Sequence, residues 1–105
     1  MTLTEDFHPD AEAELIAAAT WYERERRRLG SDFLNQAEFA VQQLLDWPQI
    51  APVFPGWDRE PIVRSQAIKR FPFQIVYYVT DTQVRIVAFA HTRRKPGYWQ
   101  DRLDG

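Results

Sequence analysis

Two helix-period stripes, separated by little more than a glycine–serine break, constrain this chain more than any other feature. Pro9 opens the first, since a proline at the first helical turn loses no hydrogen bond, and Asp10, Glu12 and Glu14 favour the positive end of that helix. Ala11, Leu15, Ala18, Tyr22, Arg26 and Leu29 step by three, four and seven, which predicts a helix over about 10–28. Gly30 fits the left-handed position just past a helix end, and Ser31 fits the N-cap of the next helix. On that second helix Phe33, Ala37, Ala40 or Val41, Leu44 and Trp47 share a face, and Pro48 stops it. Helices joined by two or three residues form an antiparallel hairpin. Each carries one apolar stripe, so a further layer must cover the pair.

The remaining sequence supplies that layer. Thr2 to Phe7 reads as a short strand before His8-Pro9. Prolines 48, 52, 55 and 61 with Gly56 make a loop from Pro48 to Pro61. Three β-type runs follow: Ile62–Gln66, Phe73–Val79 and Val84–His91. FQIVYYV (73–79) is apolar on both faces and is therefore a central strand, joined to VRIVAFAH (84–91) by a tight turn at Thr80–Gln83. Lys95-Pro96-Gly97 breaks the pattern, and Tyr98–Arg102 is a short helical or irregular tail. The expected fold is α+β: an N-terminal helical hairpin packed on a small, mostly antiparallel sheet, order β-α-α-β-β-β, in one domain spanning 1–105.

At 45% hydrophobic and 14% aromatic residues, the 105-residue chain has enough apolar mass for a core, which excludes intrinsic disorder. The absence of cysteine removes disulfides, a thiol nucleophile and thiolate metal ligands. No apolar run approaches the ~20 residues of a membrane span, and the acidic start has no signal-peptide pattern, so the expectation is a cytoplasmic protein without a membrane partner. Charge is divided along the chain. Residues 1–60 hold five basic against twelve acidic residues (−7), and residues 61–105 hold eight against three (+5). Either the halves neutralise each other across the fold, or a basic face meets an anionic partner.

Several chemistries are excluded by pattern. Four glycines scattered singly make no phosphate loop, and two histidines without ligand spacing make no metal site. Neither Ser31 nor Ser65 sits in a nucleophile elbow. No cofactor is implied. The candidates left are Arg64, Lys69-Arg70, His91-Thr92-Arg93-Arg94-Lys95 and Tyr98-Trp99. Guanidinium forks grip phosphates and aromatic rings stack on bases, so this set suits a nucleic-acid surface or metal-free RNA cleavage. The plainer alternative is that Tyr98-Trp99 close one end of the core while Arg93-Arg94 solvate a strand end. Of that adjacent pair, one arginine is expected to anchor the tail and the other to face outward. His91 either bonds backbone or acts as acid or base. In the first half, Tyr22 reads as core, and Trp21 as half-exposed and a candidate anchor for a partner. Phe39, Trp47, Phe54 and Trp57 add more aromatic surface than that half can bury, which points to an exposed apolar groove.

WYE in the first helix, LGSDF at the junction, Pro48, VRSQAIKRFPFQIVYYV and AFAHTRRKPGYWQDR together resemble the RelE/ParE superfamily of bacterial type II toxin–antitoxin toxins. The resemblance runs in order from Phe7 to Arg102; RFPFxIxY followed by AHxRRxPxYWxxR is its most specific part. It implies a toxin of the plasmid-stabilisation type, neutralised by a cognate antitoxin, and acting either on DNA gyrase or by ribosome-dependent cleavage of mRNA. By the same resemblance Arg64, Arg93 and Tyr98 stand in catalytic positions. On the residues themselves, Lys69, Arg70, His91, Arg94 and Trp99 are the expected target contacts, and Trp21, Tyr22 and Phe39 the expected antitoxin contacts. Gln74 occupies the central-strand position where the RNA-cleaving branch has an arginine, which favours the ParE-like branch and leaves open whether the chain is an enzyme. A third reading is an inactive antitoxin-binding module.

Overall fold

The computed structural model describes residues 3–104. β1 (Thr4–Phe7) leads into α1 (Pro9–Glu25) and α2 (Leu29–Asp46), followed by β2 (Arg64–Ala67), β3 (Phe73–Val79), β4 (Gln83–His91) and a 3-10 turn at Gln100–Asp104. The order β-α-α-β-β-β is the expected one; Thr2 lies outside the described residues. The sheet runs β1-β4-β3-β2, antiparallel at β2–β3 and β3–β4 and parallel at β1–β4. β3 is internal, as an apolar strand on both faces must be.

The helix junction departs from expectation. α1 ends at Glu25 rather than Arg28, and the left-handed residue is Arg28 (φ 74°), not Gly30. Gly30 lies inside α2, buried, where an added Cβ would sit 2.5 Å from the Ala19 carbonyl oxygen of α1. The glycine is there for close helix approach rather than for backbone freedom. Ser31 is not the N-cap. Glu23 does that work, accepting the N–H of Arg28 and of Gly30 on its two carboxylate oxygens at 3.0 Å each. Arg26 is exposed rather than part of the packed stripe. At the other end of α2, Trp47 caps the helix and is 67% exposed, so it does not share the packed face.

Two cores flank the sheet. On the helix side, Ala11, Ala18, Phe33, Ala37 and Leu44 meet Ile75, Tyr77, Val84, Ile86 and Phe89. On the other side, Val63, Val76, Tyr78, Val87, Ala88 and Ala90 meet Trp99, with Phe54 and Trp57 packed against them. A bulge opposite Val76/Tyr77 lets consecutive Val87 and Ala88 both serve the second core while Ile86 and Phe89 serve the first. The proline-rich loop and the tail therefore cover the sheet's second face. Phe54 and Trp57, expected in an open groove, are largely closed against Trp99, with ring centroids 5.0 and 5.5 Å away. β2 begins two residues later than its apolar pattern suggests, because Val63 drops into the second core while Ile62 stays exposed.

Candidate target-binding site

The turn between β2 and β3 lies beside the exit of β4. His91 pairs with Phe73, and the Thr92 N–H donates to the Pro72 carbonyl at 2.9 Å. Lys69 and Arg70 are thereby brought to the same end of the sheet as Arg93, Arg94 and Lys95. All five are exposed, and among the described residues none forms an ion pair. Arg70 takes a left-handed conformation (φ 76°), and its guanidinium lies 5.7 Å from the Phe71 ring. Five unpaired cations cost little only because water solvates them; an anionic surface would replace that water.

Next to this cluster a cleft opens on the second face of the sheet, lined by Ser65, Gln74, His91, Arg94, Lys95 and Tyr98. His91 is held by accepting the Arg93 N–H on Nδ1 at 3.0 Å and by its edge contact with Phe73. Gln74 stands on the cleft wall, where it brings amide rather than cationic chemistry. Arg64 is elsewhere. It pairs across β2–β3 with Tyr77, on the helix side, and its Nη1 donates to the Ala51 carbonyl at 2.8 Å. The sheet therefore separates Arg64 from Tyr98, and the three positions implied as catalytic are not brought together. Trp99 is 1% exposed and belongs to the second core rather than to the surface.

Tyr98 is bound to a group that sequence reasoning missed. β1 stops at the Phe7–Ile86 pair, which leaves the β4 edge without a strand from Val87 onward. Two side chains complete it: Arg102 donates to the Val87 carbonyl at 2.9 Å, and Glu14 accepts the Phe89 N–H at 3.1 Å. The same Glu14 carboxylate accepts both Arg102 nitrogens, at 3.0 and 3.1 Å, and the Tyr98 hydroxyl at 2.7 Å. Burial and then the hydrogen bond to Glu14 raise the Tyr98 pKa far above its ordinary value, so the phenol stays protonated. Burial opposes the charge on Arg102, but the Glu14 carboxylate outweighs it and the net shift is upward. The tail's anchor is thus Arg102, not Arg93 or Arg94. Arg94 instead lays its guanidinium over the Tyr98 ring at 3.9 Å. The one sequence signal for Glu14 is that it shares a flank of α1 with Asp10, off the apolar stripe.

Of the expected antitoxin contacts, Trp21 is 55% and Phe39 59% exposed, while Tyr22 packs in the core against Phe33, Phe71 and Phe73. Trp21 does not lie in a groove between the helices. It lines a cleft with Ala18, Tyr22, Phe73 and His91, at the border of the basic end. A separate apolar cleft between β1 and α2 is lined by Phe7, Leu34, Val41 and Phe89, with Glu5 and Glu38 at its rim.

Among the described residues there is no group of three or more acidic, histidine or cysteine side chains able to hold a metal, and no helix is long and apolar enough to cross a membrane. Residues 6–96 match the family described as ParE toxin of type II toxin-antitoxin system, parDE. A solved structure from the chromosomal ParDE toxin–antitoxin system of P. aeruginosa superimposes with a TM-score of 0.71 at 18% identity, covering 86% of this chain and 96% of that one. No curated protein matches the sequence. With the family matched over most of its length, and with the helical hairpin and four-stranded sheet of a solved ParDE structure, the chain belongs to the ParE toxin family of type II toxin–antitoxin systems.

Proposed function

We propose that the chain inhibits growth by binding a macromolecular target, DNA gyrase or a similar assembly, through the basic end of its sheet, and that a cognate antitoxin neutralises it by covering the same end. The observation that carries this reading is the group of five exposed cations, Lys69, Arg70, Arg93, Arg94 and Lys95, which form no ion pair among the described residues and stand beside an open cleft. A cluster of this kind steers an anionic partner and then pairs with it. Trp21, exposed and sharing a cleft with His91, gives the antitoxin an aromatic anchor next to those cations. A segment seated there would mask the target surface directly. Phe39, exposed on α2, offers a second apolar contact away from that cleft.

Binding without catalysis is favoured over RNA cleavage on three grounds. Gln74 brings no charge to the cleft, Arg64 is bonded on the opposite face, and the Tyr98 hydroxyl is committed to Glu14 with its proton retained. A general acid or base has to be free to exchange its proton near the working pH. The test is to induce the chain in bacteria lacking its antitoxin, then map cellular mRNA by primer extension while following the SOS response. Intact mRNA with an SOS response supports the binding reading. Cleavage at defined codon positions overturns it.

A further inference from the structure

Glu14 lies on α1, on the helix side of the sheet, yet its carboxylate reaches past the end of β1 to the tail on the other side. Its hydrogen bond to the Tyr98 hydroxyl is, at 2.7 Å, the shortest it makes, and Tyr98 is the ring on which Arg94 rests. Arg94 forms no ion pair among the described residues and is exposed, so a flexible side chain with many rotamers has one fixed neighbour, the Tyr98 face. The Tyr98 ring packs along one side against the second core, and its hydroxyl bond to Glu14 fixes the outer end of the ring. The family match stops at residue 96, so Tyr98 and Arg102 lie beyond it.

From this geometry we infer that Glu14 is a positioning residue for the toxic surface: it tethers the Tyr98 hydroxyl, and the tethered ring pre-orients Arg94 toward the target. Glu14 touches no target itself. Pre-orientation matters because ordering a long side chain at an interface has an entropic cost, which a pre-formed stack has already met. Arg102 shares the carboxylate and lies 5.1 Å from the same ring, so it holds the tether in place without supplying the exposed charge. The inference rests on the proposed role of the basic end, and its test separates the two.

The test compares Glu14→Gln, Tyr98→Phe and Arg94→Ala, and the double variants combining each of the first two with Arg94→Ala, in the full chain. Glu14→Gln keeps the shape and removes one acceptor oxygen; Tyr98→Phe keeps the ring and removes the tether. Growth inhibition per unit of chain is measured by graded induction, and folding by circular dichroism at the assay temperature. The Arg94 side-chain proton shifts displaced by the Tyr98 ring current are read by NMR. Glu14→Gln and Tyr98→Phe should each weaken inhibition about tenfold, the scale of one oriented charged contact. Both should return the Arg94 shifts toward free-arginine values, and Arg94→Ala should add nothing further in either background. If Arg94→Ala alone weakens inhibition while both tether variants leave it and the Arg94 shifts unchanged, the inference fails and the surface reading stands. Additive losses likewise overturn it, since Glu14 then acts through general stability. Should Glu14→Gln not fold, Tyr98→Phe decides by the same criteria. Full inhibition by Arg94→Ala overturns the inference alone, because the surface reading rests on five cations and falls only if their joint replacement also leaves inhibition intact.

Discussion

The β4 edge and the exit of β4 carry similar residues and use them in opposite ways. At the edge, Glu14 and Arg102 are mostly buried, with side chains 18% and 12% exposed, and each bonds both to the other and to strand backbone. Four residues further on, Arg93, Arg94 and Lys95 are exposed and unpaired among the described residues. The difference follows from solvation. A charge taken out of water must find a partner and a full set of hydrogen bonds, whereas a charge left in water needs neither and remains available. Among the charges of this molecule, the paired ones tie down structure, and the free ones, on our reading, serve function.

The largest break in that contrast comes from removing Glu14. Glu14→Ala strands Arg102, the Phe89 N–H and the Tyr98 hydroxyl together, and should cost about 3 kcal/mol, the low end for opening a buried ion pair. For a domain of this size that is a fall in melting temperature of roughly 12 °C or more, measurable by calorimetry. Gly30→Ala comes next. Its methyl would press on the Ala19 carbonyl and the Glu23 side chain, and overpacking of this kind costs about 1–3 kcal/mol by denaturant titration. Glu23→Ala sharpens the comparison, because Glu23 also completes orphaned N–H groups with a carboxylate, but at an exposed helix end. Its loss should cost about 1 kcal/mol, the scale of a helix cap and well below Glu14.

The smallest effect is confined to alkaline solution. Tyr98 holds its proton more tightly folded than unfolded, so the folded chain binds more protons once pH exceeds the ordinary tyrosine value of about 10. The contribution is complete below that value and is lost as pH rises toward the folded pKa. Stability should therefore decline above about pH 10, and Tyr98→Phe should flatten the decline in thermal melts taken across that window.

The helical hairpin, the internal β3 and the order of elements along the chain were legible because each is written in a local period: three-to-four for α1 and α2, doubly apolar for FQIVYYV. The helix junction was misread for a tertiary reason. Gly30 answers the Ala19 backbone across the helix pair, a contact with no trace in the neighbouring sequence. The basic end was legible as a set of residue types, but not its geometry. Arg64 and Tyr98 fall on opposite faces of the sheet because alternation along β2 places Arg64 with Tyr77 on the helix side, whereas the tail after β4 carries Tyr98 against the second core. The role of Glu14 left no local trace beyond its place on the Asp10 flank of α1, since its partners are 75, 84 and 88 residues away and the need for it arises only where β1 stops.

The central claim is that the unpaired cations, and not the paired ones, carry the toxic activity. The direct measurement is growth inhibition by a chain with Lys69, Arg70, Arg93, Arg94 and Lys95 all replaced by glutamine, with its melting temperature recorded alongside. Surface substitutions of this kind change stability by about 0.5 kcal/mol or less each and in either direction, so they largely offset one another and the melt should remain cooperative. Growth inhibition should be abolished. A variant that melts like the parent and still arrests growth would contradict the account.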